Sequence, residues 1–206
     1  MEISDIMAGG KRGFLDGRFL VAMPGIDDGR FAQAVILIAA HSDEGAIGFV
    51  VNHPSDLTIR DMFDRVGIED EVAAGARAAR RTPSASPDET VMRGGPVEAN
   101  RGFVLHTPDY GSASTTPLDA TLSLTSTLDV LKAIARGRGP RHAMLALGYA
   151  SWDAGQLEEE MRDNVWLAAD PAMATMFDVP PANRYDAALA SMGVRAEALS
   201  GIAGNA

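Results

Sequence analysis

Both tryptophans of the chain lie in one stretch, residues 147–166, LGYASWDAGQLEEEMRDNVW, and it dictates a definite local fold. Asp153 has the chemistry of a helix N-cap, and Gln156 three residues on completes a capping box. Trp152 at N′ and Leu157 at N4 then occupy the two positions of a hydrophobic staple. Leu157, Met161 and Val165 recur at i, i+4 and i+8 to define a buried face, while Glu158 and Arg162 form an exposed i, i+4 pair. Before the cap, residues 142–147 are a short apolar run ended by Gly148, which reads as a buried strand. The stretch predicts a strand, a glycine turn and a capped helix. Trp152 and Tyr149 read as packing residues. Tyr149, Ser151, Glu159 and Asn164 are nevertheless polar groups that the cap does not need, and loops at strand ends commonly carry binding groups.

The rest of the chain is strand-rich and then mixed. Residues 18–23 read as a strand ending at Pro24, and residues 34–40 as a continuous apolar strand buried on both faces. A turn with a short helical piece is expected between them. Residues 46–51 form the next strand, and Thr58 caps a helix with Asp61 in the box position. Residues 91–93 and 102–106 read as a strand pair joined through Gly94 and Gly95. Residues 109–117 carry turn chemistry. A strand follows at 121–124, then a helix capped by Ser126, with Leu128, Leu131 and Ile134 on its apolar face and Gly137 at its end. A strand at 165–168 and helices at 172–176 and 183–192 complete the pattern.

Strands and helices are intermixed without strict βαβ alternation. The fold class expected is therefore α/β (α+β): a single domain with a mixed, curved β-sheet and packed helices. Residues 69–90, poor in apolar periodicity, read as a flexible insertion.

Several chemistries are excluded by what the sequence lacks. No G-x-G-x-x-G follows a strand, and the P-loop and G-x-S-x-G patterns are missing. The chain has no cysteine, which removes disulfides and thiolate-held zinc or iron–sulfur clusters, and the four histidines show no metal spacing. No metal and no cofactor is expected. Without a basic leader or an apolar run of about 18 residues, no membrane role is expected and a cytoplasmic location is. The 28 acidic residues outnumber 18 basic ones for a net charge of −10, so direct nucleic-acid binding is disfavoured. Two basic clusters, Arg77, Arg80 and Arg81, then Arg136, Arg138 and Arg141, lack interleaved aromatics and read as solvated surface.

Candidate site residues are those whose chemistry exceeds their local structural need. His41, with Asp43 and Glu44 beside it at the end of a buried strand, could form an acid–base pair. Asn52 ends the next strand, and a site shared with His41 requires those strand ends to be neighbours. Arg93 and Arg101 flank glycine-rich backbone in a pattern suited to anions. With His106, Tyr149, Ser151 and Asn164 these make up the candidate ligand or partner surface. No residue is assigned as catalytic.

Three motifs, residues 20–54, 93–106 and 147–167, together resemble the bacterial YqgE/AlgH family of uncharacterised proteins, in order and in register. The resemblance implies a complex α/β fold with a bifurcated, partly barrel-like sheet curling into a partial barrel. Its extent places the domain at residues 17–193, with a flexible N-terminal arm at 1–16 and a flexible tail at 194–206. It carries over no activity and no catalytic residue, and one branch is named for a role in transcriptional control. The favoured reading is a cytosolic binding or regulatory module acting through a protein or small-molecule ligand. The alternatives are an enzyme with a His/carboxylate site, which is less favoured, and a transcriptional regulator contacting DNA.

Overall fold

The structure is a computed structural model that describes residues 15–26, 28–68 and 88–199. In chain order the described strands are β1 (Phe19–Ala22), β2 (Val35–Ser42), β3 (Gly45–Val50), β4 (Pro54–Thr58), β5 (Thr90–Arg93), β6 (Val97–His106), β7 (Thr115–Pro117), β8 (Ser123–Thr125), β9 (Ala143–Asp153) and β10 (Trp166–Ala169). The described helices are α1 (Ile59–Val66), α2 (Leu128–Ala135), α3 (Gln156–Arg162), α4 (Met173–Phe177), α5 (Arg184–Ser191) and α6 (Ala196–Leu199). The expectations for residues 1–14, 69–87 and 200–206, including the Arg77, Arg80 and Arg81 cluster, lie outside the described residues.

The mixed α/β class is what forms, because antiparallel pairings coexist with a parallel pairing of β5 and β9. The chain makes two compact units, and β9 contributes to both. The first holds the described residues of 1–53, Gly94–Val97 and 149–199; the second holds the described residues of 54–93 and Glu98–Gly148.

In the first unit the strand order is β10-β1-β2-β3-β9, antiparallel throughout. The apolar run of β2 is buried along nearly its whole length, as a strand covered on both faces must be. Leu20, Ile36, Ile38, Val50, Trp152, Leu157 and Trp166 belong to one core cluster, with Met161 and Val165 packed against it. Polar side chains fix its borders. Asn52 accepts from the Val35 amide at 2.8 Å and donates to Gln33 O at 2.8 Å. The buried Arg184 donates to Val51 O and, at 2.9 Å, to Val179 O, and Tyr185 donates to Ala22 O at 2.8 Å, which ties α5 down.

In the second unit β4 pairs with β5, β5 with the first half of β9, and β6, β8 and β7 follow in order. Helices α1 and α2 bury Ile59, Met62, Phe63, Val130, Leu131 and Ile134 in a second core with Val91, Val104 and Leu145. The capping box expected at Thr58 and Asp61 is present, and α1 ends at Gly67 with φ 68°.

Several local expectations are corrected. Gly148 does not end a strand: β9 runs on through it to Asp153, with φ 71° at the glycine. Strands β5 and β6 do not pair with each other, because β5 finds β4 and β9 instead. Helix α2 has its N-cap at Thr127 with no side-chain cap bond, and Leu128 is 46% exposed, so Val130 takes its place on the buried face. Residues 109–117 end in strand β7, and β4 forms where no strand was expected.

Candidate functional site: an aromatic cleft

The segment 147–166 builds one wall of a cleft in the first unit. Strand β9 puts Ala150 and Trp152 into the core cluster by its two-residue alternation. Gly155, with φ 78°, is the N-cap of α3, so the cap expected at Asp153 is corrected by two residues. Half of the expected box survives, since Gln156 Oε1 accepts the Asp153 amide at 3.0 Å.

Helix α3 then distributes its side chains at about 100° per residue. Gln156 and Glu160 share one face; Leu157 and Met161 share the next and enter the core. Glu158 falls on a third face and meets His41 Nε2 at 2.8 Å. Glu159 is exposed on the fourth.

Glu160 organises the cleft. Its Oε2 accepts the indole N–H of Trp152 at 2.8 Å and of Trp166 at 2.7 Å, and its Oε1 accepts the Gln156 amide at 2.8 Å. The two indoles meet edge to face at 6.1 Å and 81°, and Phe31 meets Trp166 at 5.9 Å and 78°. Such pairs contribute about 0.5–1.5 kcal/mol each beyond burial. The cleft has a volume of about 440 Å³ and is lined also by Gly25, Ile26, Asp28, Arg30, Pro96, Val97, Ser151 and Val165.

At its rim Asp28 caps the 3₁₀ turn Gly29–Phe31 and is gripped by Arg30, with Nε 3.0 Å from both carboxylate oxygens and NH2 2.6 Å from Oδ2. The Arg30 hydrogen bonds hold the Asp28 carboxyl below its usual range, and Asp28 in turn raises Arg30. Arg30 also sits 5.9 Å from the Phe31 ring centroid. The arrangement can bind and orient a small molecule between apolar aromatic walls and a few polar groups.

The sequence-derived candidates do not converge here. Ser151 lines the cleft. Asn164, with φ 56°, sits in the turn that delivers Val165 and Trp166. Tyr149 is buried, its backbone carbonyl packed so closely on Gly95 that a Cβ there would lie 2.2 Å from it. His41 and Asn52 occupy opposite ends of β2: His41 is near its C-terminus, while Asn52 bonds Val35 at its start. Six residues of strand separate those positions, about 20 Å.

The carboxylate on His41 is Glu158, not the neighbouring Asp43 or Glu44. Burial pushes Glu158 up, but its own backbone hydrogen bond and the His41 contact outweigh that and leave it below its ordinary range. Arg93, Arg101 and His106 lie in the second unit. Arg93 donates to Pro54 O at 3.1 Å, Arg101 pairs with Glu98 at 2.9 Å, and His106 is fully buried. The residues missed by sequence reasoning are Glu160, Phe31, Asp28 and Arg30. Only Glu160 had a legible signal, as the residue four after Gln156 on the same helix face as the cap. Among the described residues, no group of three or more His, Asp or Glu could hold a metal ion, and no helix is long and apolar enough to cross a membrane.

Comparison with known proteins defines the family. The AlgH-like family model matches residues 19–197. A UPF0301 protein of Rhizobium leguminosarum bv. trifolii is 46% identical over 209 residues, covering 100% of both chains. The solution structure of the AlgH protein from Pseudomonas aeruginosa superposes with a TM-score of 0.70 at 38% identity, over 96% of this chain and 98% of that one. A crystal structure of a Corynebacterium diphtheriae protein, 21% identical, shares the fold with a TM-score of 0.65 over 92% of this chain and 93% of that one. The chain that builds this cleft therefore belongs to the AlgH-like family.

Proposed function

We propose that this chain is a cytosolic binding module whose ligand is a small organic molecule seated in the cleft over Trp152 and Trp166. One observation carries the reading: a cleft of about 440 Å³ whose aromatic wall is locked by a single carboxylate bonded to both indoles. That volume lies within the range of small-molecule sites, and fixed aromatic walls lower the ordering cost of binding. A regulatory output would follow if ligand occupancy changed what the chain binds next.

The cleft supports a small ligand more directly than a protein partner. The enzyme alternative rests on the 2.8 Å contact of His41 with Glu158, but neither residue lines the cleft. The pair is better read as a tie between β2 and α3.

The test uses the chain's own chromophores, since it has two tryptophans and both line the cleft. A small-molecule library is screened by thermal shift and by tryptophan emission. A true ligand is expected to change the emission and to bind about tenfold more weakly to Phe31→Ala, the usual scale for removing an aromatic anchor. Stabilising ligands that leave the emission untouched would move the site elsewhere and sink the proposal.

A further inference from the structure

We infer that the cleft selects an organic cation: an ammonium group carried on an aromatic or branched apolar body, with Glu160 as its counter-ion. This rests on the cleft being a ligand site and names the chemical class that the site takes. The argument is a count of charge.

Among the described residues, three charged side chains line the cleft: Asp28, Arg30 and Glu160. Asp28 and Arg30 cancel each other in a forked ion pair at the rim. Glu160 is different. Its three hydrogen bonds come from neutral donors, two indoles and one side-chain amide. Those donors carry no charge to offset the carboxylate, so the described lining has one net negative charge beside apolar walls.

A carboxylate has about four acceptor positions, and three are occupied, which leaves one on Oε1 for a donor from the ligand. A charge-assisted bond to an ammonium group is the strongest use of that position. The partly dehydrated surroundings strengthen the attraction relative to water, and the aromatic walls favour a cation through their ring quadrupoles. An anionic ligand would meet Glu160 as a like charge. The acid excess of the whole chain, a net charge of −10, acts in the same direction at long range.

The experiment follows the two indole N–H signals of the ¹⁵N-labelled full chain. At neutral pH the protein is titrated with 2-phenylethylamine, with its neutral isostere 2-phenylethanol and with 3-phenylpropionate. The amine is expected to shift both signals saturably, and the alcohol to bind about tenfold more weakly or worse, as the loss of a charge-assisted bond implies. The carboxylate should bind weakest.

In Glu160→Gln, which keeps the size of the side chain, the preference for amine over alcohol should fall to near unity. If the alcohol or the carboxylate binds as tightly as the amine, or if the variant keeps the preference, cation selection is overturned while the cleft stands as a site. If none of the three moves either indole signal, the cleft reading fails and the inference fails with it. Should Glu160→Gln not fold, the comparison of the three ligands on the unaltered chain decides selectivity by itself.

Discussion

His106 shows how a side chain that reads as a binding group becomes a buried titration site. Its Nδ1 faces Thr107 O at 2.8 Å, so that nitrogen carries the proton, and Nε2 at 2.9 Å accepts the Thr125 hydroxyl. Thr125 is bonded in turn to Thr115 at 2.8 Å, and Thr115 accepts the Ser112 amide at 3.0 Å. Burial holds His106 below its ordinary pKa, against smaller opposing effects from the Thr107 carbonyl and Asp109. The folded value thus lies below the unfolded one, near 6.5, and the unfolded chain takes up its proton first. Stability from this group is complete above about pH 6.5 and is lost as pH falls toward the folded value. Thermal melts between about pH 7 and pH 5 should show His106→Gln losing part of the acid-side decline in Tm. Parallel curves for variant and parent would contradict the assignment.

The two helix starts that the sequence describes in the same terms behave differently. At α1 the Thr58 hydroxyl accepts the Asp61 amide at 3.2 Å and the Asp61 carboxylate accepts the Thr58 amide at 2.7 Å. At α3 the N-cap is Gly155, and Asp153 stays in β9, paired with Gly45. The β2–β3 reversal imposes this register, because Gly45 has φ 134° and lies so near the strand that a Cβ there would be 2.3 Å from Trp152 O. Thr58→Ala should cost about 1 kcal/mol of stability, the usual value of a lost cap, and Asp153→Ala clearly less. Denaturant titrations of the two variants measure the difference. Equal losses would put the start of α3 back at Asp153.

For the molecule as a whole, charge and the two cores decide what is legible. With 28 acidic and 18 basic residues, the chain is expected not to be retained on duplex DNA at physiological salt. Fluorescence anisotropy across a salt series checks this, and a steep inverse dependence of affinity on salt would reverse it. Hydropathy patterning located most elements: β1, β2, β3, α1 and β10 fall within a residue or a few of their expected places, because each encodes its own period and caps. The elements missed are β4, a polar strand whose partner β5 is far off in sequence, β7, a strand of 3 residues without apolar alternation that pairs with the nearby β8, and α6, a single turn of 4 residues in the expected flexible tail. Residues 147–166 show the same division. The sequence alone determined that they make an amphipathic helix whose Leu157 is buried and whose Met161 packs against the core, since periodicity is local information. Only the tertiary structure decided that the strand runs on through Gly148 to Asp153, that Glu158 goes to His41 and Glu160 to both indoles, and that Phe31, Asp28 and Arg30 complete the cleft. Those partners are fixed by strand register and crossing chains, which no local spacing encodes.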